Sequence, residues 1–528
     1  MTELRYFDAL MFLGKTPDAP TREHSTTDSL RQTLDRYGFD RGLVLPMTPG
    51  CSDPAYGNEQ LFSAAQQDPR ITPCPFAHID FRKLGTQDDA YVKTLIDRGA
   101  RAVCFYPKAF TRGMAPRVTG DLLTSLQKHQ LPLFLFETGM AEAADIAEQY
   151  PSLPIILPQA EWKSNAMIRT LAATPNLHIT LGLGFSLYRG IEAMIDLGCQ
   201  RQILFGSGYP LSEPGAAMCG LCYTSADESS LEGIASGNLQ RLVNSVHNDQ
   251  NTKLTDTPDR VPAQPKSTSK LILAARTGKH LPLDNIIDMH AHLSSWLRMS
   301  FHGGRAEDMV QQMDQTGISK SFISHLACLT AEPKWGNDQV IDAIKRYPDR
   351  FGGYAVCWPI EEETGINEIR RCMDAGMRGI KIHNGHGISY THEGYRPVWE
   401  LADKYHLPVL LHTWGDMTDY ESIFQRYPNA QVLLGHSGCA NEELYVEFAH
   451  KYPNIYLELC HSFSRHGIVE YLVEQAGADR ILYGSDAAVH SYGQQLGRVI
   501  YADIKEEQKE KILSTNAVRL LDKTRAYQ

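Results

Sequence analysis

The chain has 528 residues, more than one hydrophobic core usually organises, and this length predicts two or three domains. Its 62 acidic residues outnumber its 51 basic residues, which leaves a formal net charge of -11. That balance argues against a nucleic acid or an anionic membrane as partner, because both select a basic surface. No apolar run reaches the roughly 18 residues of a membrane span. The N-terminus lacks the features of a signal peptide, so we expect a cytoplasmic protein.

The 11 cysteines are odd in number and scattered, which predicts reduced thiols rather than a disulfide framework. One Cys-x-x-Cys pair occurs, formed by Cys219 and Cys222. A zinc site would need two more ligands nearby and a redox motif would need a thioredoxin-like context, and neither is present. We therefore expect two ordinary thiols in a loop.

Short segments of the first half recur in the second half at a nearly constant separation. Gly-Asn-Glu-Gln at 57–60 matches Gly-Asn-Asp-Gln at 336–339, which lies 279 residues further on. Four more segments and one Asn/Arg pair repeat at separations of 276 to 278 residues: 99–102 with 376–379, 131–133 with 407–409, 150–151 with 427–428, 206–207 with 484–485, and Asn238 and Arg241 with Asn516 and Arg519. The chain is therefore predicted to be a tandem duplication.

Between the two copies the composition becomes polar and rich in Pro and Ser, which is typical of an exposed linker. We accordingly predict a first domain at 1–246, a linker at 247–280 and a second domain at 281–528.

Strands and helices alternate through the second copy. The predicted strands are 285–290, 319–323, 351–356, 379–383, 408–412, 431–435, 455–459 and 480–484, with helices at 305–315, 339–346, 368–374 and 398–404. Alternation of this kind indicates a parallel sheet, and eight strands in about 240 residues fit a closed (β/α)8 barrel. The first copy shows the same alternation of strands and helices, so the predicted fold class is α/β, with two tandem TIM-like barrels joined by the linker.

Five polar side chains fall at the carboxyl ends of predicted strands, the edge at which such barrels place their active sites. They are His290, His292, His412, His436 and Asp486. His290 and His292 alternate along one strand and therefore share its inner face with Asp288. Three imidazoles and a carboxylate suit a zinc-like divalent ion with a position left for water, which such an ion activates as a nucleophile.

Five motifs run in order through the second copy: Asp-Met-His-Ala-His at 288–292, Gly-Ile-Lys-Ile-His at 379–383, Leu-His-Thr at 411–413, Gly-His-Ser-Gly at 435–438 and Tyr-Gly-Ser-Asp at 483–486. In these motifs the copy resembles the amidohydrolase superfamily, specifically the amidohydrolase-related group of aminocarboxymuconate semialdehyde and resorcylate-type decarboxylases. The resemblance implies a metal, Zn2+ or another divalent ion such as Mn2+, held by His290, His292, His412 and Asp486. It also implies catalytic roles for His436 as an acid/base or polarising group and for Asp486 as proton acceptor. Relatives usually follow the last Asp with Tyr-Pro, whereas Ala487 and Ala488 stand here.

Lys381 and His383 share the inner face of one strand. In binuclear relatives a carbamylated lysine bridges two metals, but we favour a single metal, with His383 in contact either with substrate or with the residues that surround the metal ligands. Lys381 is either a substrate-binding group or a buried charge paired with Asp288. Loop residues that are candidates for the substrate pocket are Trp296, His302, Trp414, His461 and Arg465, of which Trp414 and Arg465 are the predicted substrate-binding residues.

The first copy carries other residues at the site positions. Leu10 and Phe12 replace His290 and His292, and the other replacements are Cys104 for Lys381, Tyr106 for His383, Phe136 for His412, Gln159 for His436 and Gly208 for Asp486. Leucine and phenylalanine have no lone pair for a metal, so this copy is predicted to be a degenerate, inactive barrel. We expect the two copies to form a pseudo-dimer within one chain, with a homo-oligomer possible. The alternative is that the first copy only stabilises the second.

The leading functional prediction is hydrolysis of a small carbonyl substrate, a lactone, amide or ester, by metal-activated water. The alternative is non-oxidative decarboxylation or hydration of a carboxylated ring or dienoate. A decarboxylase would need a cation for the departing carboxylate, for which Arg465 and Lys381 are the candidates. A third interpretation, a binding or scaffold protein without activity, is disfavoured by the complete ligand set of the second copy.

Overall fold

The computed structural model describes residues 3–16, 20–47, 53–77, 87–107, 114, 116–158, 165–246, 269–295, 301–360, 362–415, 417–461, 463 and 465–527. The chain divides into two compact units, Met1–Phe185 with Gly190–Thr268, and Ser186–Arg189 with Ser269–Gln528. Most of the predicted linker lies outside the described residues. Its last part is described and includes the helix Lys270–Arg276, which lies in the second unit. The domain boundaries themselves stay a prediction.

The described strands of the first unit form two parallel sheets. Strands β1 (Tyr6–Leu13), β2 (Phe39–Pro46) and β3 (Ile71–Pro73) make one sheet, and β4 (Val103–Phe105), β5 (Leu133–Leu135), β6 (Ile155–Leu157), β7 (Leu177–Thr180) and β8 (Ile203–Leu204) make the other. Isolated parallel bridges join Phe76 to Cys104 and Met11 to Tyr209. Its helices are Thr27–Tyr37, Pro54–Gln67, Asp88–Asp97, Pro116–Lys128, Met140–Gln149, Asn165–Ala173, Gly190–Asp196, Pro214–Cys222, Glu228–Glu232 and Asn238–Asn244. That this unit is a second closed barrel stays a prediction.

The second unit contains one eight-stranded parallel sheet in which neighbours in sequence are neighbours in space. Its strands are β9 (Ile286–Leu293), β10 (Ile318–His325), β11 (Phe351–Ala355), β12 (Gly379–Ile382), β13 (Pro408–His412), β14 (Gln431–Gly435), β15 (Ile455–Glu458) and β16 (Ile481–Leu482). The first strand also meets the end of the last one. The N–H of Met289 donates to the carbonyl of Tyr483 at 3.0 Å, and Ala291 bridges to Ala487 in parallel. The predicted (β/α)8 barrel is confirmed for this half.

Helices follow the strands of the second unit, as a barrel requires. After the helix Lys270–Arg276 they are Ala306–Thr316, Pro333–Arg346, Glu362–Asp374, Arg396–Tyr405, Glu421–Arg426, Glu442–Lys451, Ile468–Ala476, Tyr492–Ile500, Glu506–Glu510 and Asn516–Asp522. The helix Ala306–Thr316 ends as predicted, because Gly317 adopts a left-handed φ of 92° and its N–H donates to the Met313 carbonyl at 2.8 Å. Within the described part of the chain, no helix is both long and apolar enough to cross a membrane.

Side-chain alternation along β9 separates the apolar core from the polar rim. Ile287 and Met289 pack into a buried cluster with Ala517 and Leu520 of the helix Asn516–Asp522, so they face the helices as predicted. The cluster also contains residues from the other strands: Phe322, Tyr354, Leu410, Leu433, Tyr456 and Leu482. Each fully buried side chain of this size contributes about 1.5–3 kcal/mol of apolar burial. This packing holds the alternate residues of β9 towards the barrel interior.

Equivalent hydrogen bonds occur in both units. The buried carboxylate of Asp8 accepts from the backbone N–H two residues further on and from that of Ser207, both at 2.9 Å. Asp288 accepts from the N–H two residues further on at 3.1 Å and from that of Ser485 at 2.9 Å. The side-chain amides of Asn238 and Asn516 likewise each donate to two backbone carbonyls, namely Gln200 and Ile203 for the first and Ala478 and Ile481 for the second.

The Cys-x-x-Cys pair lies in a helix, Pro214–Cys222, and not in the loop that was predicted. Both thiols are buried and neither forms a disulfide, and Sγ of Cys222 lies 3.3 Å from the Tyr6 hydroxyl. The sequence pattern missed the helix because nearly every residue in it is buried, and a helix buried on all sides has no amphipathic period.

Candidate metal centre

Three predicted metal ligands converge at the carboxyl edge of the second unit's sheet. His290 and His292 lie on β9, Asp486 follows β16, and their donor atoms all lie within 4.8 Å of one another. The Nε2 atoms of His292 and His290 lie 3.0 and 3.7 Å from the same oxygen, Oδ1 of Asp486. All three side chains are buried. Two nitrogens and an oxygen at this spacing can bind one divalent ion.

The electrostatics of the three residues suit a metal. Burial lowers the pKa of His290 and His292, so both imidazoles are neutral near pH 7 and keep a lone pair. Burial raises the pKa of Asp486, but the hydrogen bond with His292 and the interactions with the surrounding imidazoles outweigh it and hold this pKa well below its ordinary value. Two neutral imidazoles and an ionised carboxylate fit Zn2+ or Mn2+. The prediction of a divalent metal is confirmed, and whether the ion is Zn2+ or Mn2+ stays a prediction.

His412, the fourth predicted ligand, lies outside this three-residue group and contacts His436. Its Nδ1 is 3.0 Å from Nε2 of His436, whose own Nδ1 is 3.1 Å from the Cys460 carbonyl. A carbonyl only accepts, so a neutral His436 carries its proton on Nδ1 and accepts at Nε2. Burial lowers the pKa of His412 to about 3, so this ring is neutral near pH 7 and must then donate from Nδ1. That tautomer leaves Nε2 of His412 with a free lone pair, as a ligand needs.

Two of the site residues adopt a backbone conformation that side chains disfavour. His436 has a φ of 62° and Asp486 a φ of 55°, both in the left-handed region. A non-glycine residue held there costs on the order of 1–3 kcal/mol and persists only where its surroundings enforce it. Such residues concentrate at functional sites, and here both lie just past the end of a barrel strand.

Lys381 contacts one of the metal donors. Its Nζ is 2.9 Å from Nε2 of His290, and burial lowers its pKa to about 8. It contacts no oxygen of Asp288 at hydrogen-bond distance, because that carboxylate is bonded to Ser485 and to Ser321. The alternative of an Asp288–Lys381 ion pair is therefore wrong. The ring of His383 lies 4.2 Å from that of His412.

The predicted substrate-binding residues Trp414 and Arg465 are placed differently. Trp414 is 54% exposed, and its ring is stacked 5.9 Å from that of His412 and lies 5.4 Å from that of His436. Arg465 is paired with Glu442 at 3.1 Å, so a carboxylate of the protein already balances its charge. Trp296, another pocket candidate, lies outside the described residues.

Sequence reasoning missed two residues beside the ligands. Glu458 is wholly buried, and its Oε2 lies 2.9 Å from Nδ1 of His290. It is the last residue of β15, so the strand-end rule that identified His412 could have found it. His490 lies 3.5 Å from Oδ2 of Asp486, in a segment where no strand pattern pointed to it.

Apolar rings occupy the corresponding positions of the first unit. Tyr106 stacks on Phe136 with centroids 4.3 Å apart, and Phe12 lies 6.2 Å from Phe136. Leu10 is fully buried as well. Gln159 lies outside the described residues. Among the residues that the structure describes, two groups of donors could hold a metal, and both belong to the second unit: His290 with His292 and Asp486, and His290 with His436 and Cys460.

Two comparisons relate the second half to known proteins. Residues 287–523 match the Amidohydrolase family profile. A γ-resorcylate decarboxylase of Polaromonas sp. is 23% identical over 281 residues, covering 42% of this chain and 84% of that protein. A 2-amino-3-carboxymuconate-6-semialdehyde decarboxylase of Dictyostelium discoideum is 26% identical over 130 residues, or 19% of this chain and 36% of that one. These matches confirm the prediction that the chain is an enzyme of a metal-dependent type.

The chain is also similar, over part of its length, to solved structures. A dihydroxybenzoic acid decarboxylase from Polaromonas sp., solved with manganese and the inhibitor 2-nitroresorcinol, has a TM-score of 0.38 and 18% identity. The similarity covers 46% of this chain and 97% of that one. A 2,6-dihydroxybenzoate decarboxylase solved with 2,6-dihydroxybenzoate also has a TM-score of 0.38, with 18% identity, 46% coverage of this chain and 100% of that one.

The glycine at 484 is required by the packing of the site. A Cβ there would lie 1.9 Å from Oε1 of Glu458 and 2.8 Å from Cβ of His290. We predict that Gly484→Ala lowers the free energy of unfolding by about 1–3 kcal/mol and weakens Mn2+ binding, because the metal-side imidazole must shift. Gly120→Ala is the control, since a Cβ there meets only the Tyr150 hydroxyl at 3.5 Å. Denaturant titration and Mn2+ titration measure both effects, and a fully stable Gly484→Ala protein would contradict this packing.

Proposed function

We propose that the second unit is a metal-dependent decarboxylase that removes a carboxyl group, without oxidation, from a small carboxylated ring or dienoate. The observation that carries the proposal is the convergence of His290, His292 and Asp486 beside the buried cation of Lys381. A second support is that the similar proteins are named decarboxylases of carboxylated aromatic or muconate-type acids. This is the alternative of the sequence-based prediction, and hydrolysis becomes the second candidate.

The proposed metal ligands are His290, His292 and Asp486, with Nε2 of His412 as the fourth. A bound divalent ion would act as a Lewis acid towards a substrate oxygen and fix the substrate's orientation. The protein supplies the other groups. Because its ligands are buried, the site excludes most water and strengthens the electrostatic interactions inside it.

Lys381 supplies the positive charge that a departing carboxylate needs. In a non-oxidative decarboxylation the bond between the ring carbon and the carboxyl carbon breaks, CO2 leaves, and the ring carbon takes a proton. With a pKa lowered to about 8, Nζ of Lys381 is still largely protonated near pH 7 and gives up a proton more readily than an ordinary lysine. His436, neutral and held between His412 and Cys460, is the proposed acid/base or polarising partner.

Trp414 is proposed to contact the flat face of the substrate. More than half of its surface is exposed, although its ring lies against the imidazoles of His412, His436 and His461. An exposed aromatic ring beside a catalytic centre is suited to stacking on a planar aromatic or conjugated acid. This contact favours such a substrate over a saturated lactone.

Hydrolysis is retained as the second candidate because of Asp486. Its ionised carboxylate lies within 3.0 Å of a ligand imidazole and can accept a proton from water. The two reactions differ in their need for a cation beside the substrate, and this difference can be tested.

Lys381→Met is expected to reduce decarboxylation about 10–100-fold while leaving metal bound, because a charge-assisted contact to substrate contributes about 1.5–3 kcal/mol. Removing a positive charge from beside the metal should not weaken metal binding, because the two charges repel each other. The assay follows CO2 release from a panel of hydroxybenzoates and hydrolysis of a panel of lactones. Lys334→Met, at a lysine 75% exposed on an outer helix, is the control. Lactone hydrolysis that is unaffected by Lys381→Met, with no CO2 release by wild type, would support the hydrolase instead.

For the first unit we propose a duplicated barrel that has lost its metal site and is inactive. The support is the pairing of equivalent hydrogen bonds at Asp8 and Asp288 and at Asn238 and Asn516. The aromatic pair Tyr106 and Phe136, at the positions of His383 and His412, is the second support.

A further inference from the structure

Glu458 is a buried carboxylate for which the proposed reaction has no use. No part of it is exposed, although an ionised carboxylate is strongly destabilised in an apolar interior unless its oxygens are hydrogen-bonded. Its Oε2 lies 2.9 Å from Nδ1 of the His290 imidazole and accepts a hydrogen bond from the backbone N–H of His436 at 3.2 Å. Cys460 donates its N–H to Oε1 at 2.7 Å and its thiol to Oε2 at 3.1 Å. All four contacts come from the site or its immediate surroundings.

The contact with His290 determines which nitrogen of that ring can bind a metal. Burial raises the pKa of Glu458 to about 7, and above that pH the side chain is a carboxylate that only accepts hydrogen bonds, as its contacts with two backbone N–H groups and a thiol require. In that state Nδ1 of His290 carries the proton. The opposite nitrogen, Nε2, then carries the lone pair, which accepts a hydrogen bond from Lys381 in this structure. Nε2 is the atom that faces Asp486 at 3.7 Å and Lys381 at 2.9 Å. The tautomer that Glu458 selects is therefore the tautomer that the metal site needs.

The surrounding backbone is shaped to admit this carboxylate. A Cβ on Gly484 would overlap Oε1 of Glu458. In the first unit the position 278 residues earlier is Thr180, which is buried and donates to the Pro158 carbonyl at 3.0 Å. There Leu10 replaces the imidazole of His290, so the first unit lacks both the carboxylate and the ring that the carboxylate would orient.

We propose that Glu458 is a positioning residue that fixes the tautomer and ring orientation of His290 and thereby sets the affinity of the site for its metal. The proposal rests on the metal centre of the proposed function and is independent of which reaction the enzyme catalyses. Carboxylates that orient a ligand imidazole typically change metal affinity 10–100-fold when they are replaced. A purely structural role would change stability without that loss of affinity.

The test is titration of the metal-free full-length protein with Mn2+, with unbound ion measured by electron paramagnetic resonance. Glu458→Gln should raise the Kd for Mn2+ about 10–100-fold. Glu368→Gln is the matched control, because Glu368 is a largely buried glutamate of an outer helix bonded to Arg371 and Asn337. It should bind Mn2+ as wild type does. If Glu458→Gln does not fold, Glu458→Asp carries the same expectation, since its shorter carboxylate cannot reach Nδ1.

A second measurement separates positioning from general damage. Histidine-selective 15N NMR of the metal-free protein reports which ring nitrogen carries the proton, with the His290 signal identified by its loss in His290→Ala. Wild type should show the proton on Nδ1, and Glu458→Gln should show a mixture or the other tautomer. Unchanged Mn2+ affinity in a folded Glu458→Gln protein would overturn the proposal. Weakened Mn2+ binding in a protein that acts on no carboxylated acid would uphold it and reject the decarboxylase assignment alone.

Discussion

His290→Ala is expected to weaken Mn2+ binding by more than about 100-fold and to reduce activity to background. Loss of a residue that orients a ligand imidazole already lowers metal affinity about 10–100-fold, so loss of the ligand itself must lower metal affinity more. His290 also links the metal donors to Glu458 and Lys381, so no neighbouring imidazole can take its place. Equilibrium dialysis with Mn2+ and the CO2 assay measure the two effects in the same preparation.

The control for this variant is His450→Ala. His450 lies on the outer helix Glu442–Lys451 and contacts the Gln475 carbonyl at 2.8 Å, away from the donors. It should bind metal and turn over substrate as wild type does. Full activity of a metal-free His290→Ala protein would reject metal-dependent catalysis at this site.

His436→Asn is expected to reduce turnover about 10²–10⁴-fold, the usual contribution of a general acid or base, while the protein keeps its metal. The two effects are expected to separate because the proposed ligand group of His290, His292 and Asp486 does not include His436, which belongs to a second group with His290 and Cys460. Asparagine preserves approximate size and polarity, which limits the loss of packing.

His412→Asn in parallel distinguishes the roles of the two neighbouring rings. If Nε2 of His412 is the fourth ligand, this variant should bind Mn2+ more weakly than His436→Asn does. The comparison uses metal affinity and turnover of both variants. Metal loss in His436→Asn together with normal affinity in His412→Asn would exchange the two assignments.

The barrel and its polar rim could be predicted because both depend on short periodicities. Alternation along β9 fixes which residues face inward, and the carboxyl ends of parallel strands must meet at one edge. That is why His290, His292 and Asp486 could be brought together from the sequence. Glu458 obeys the same rule at the end of β15, but a single glutamate at a strand end indicates no particular role, whereas a His-x-His motif indicates a metal site.

The remaining details depend on side-chain torsions and on competition among partners, which no periodicity encodes. Asp288 was a reasonable partner for Lys381, but Ser485 and Ser321 take up its oxygens. Arg465, the other predicted cation, is paired with Glu442, and its contact with substrate stays a prediction. Such competition is decided by distances of a few tenths of an ångström between residues that are remote in sequence.

The account depends most directly on one shared cation. An anomalous difference map from crystals of the full-length wild-type protein, soaked in Mn2+ and recorded at the manganese edge, tests it. We predict a single strong peak in the second unit within bonding distance of Nε2 of His290, Nε2 of His292 and Asp486. A map with no peak among these three side chains, from crystals in which Mn2+ occupies other positions, would contradict it.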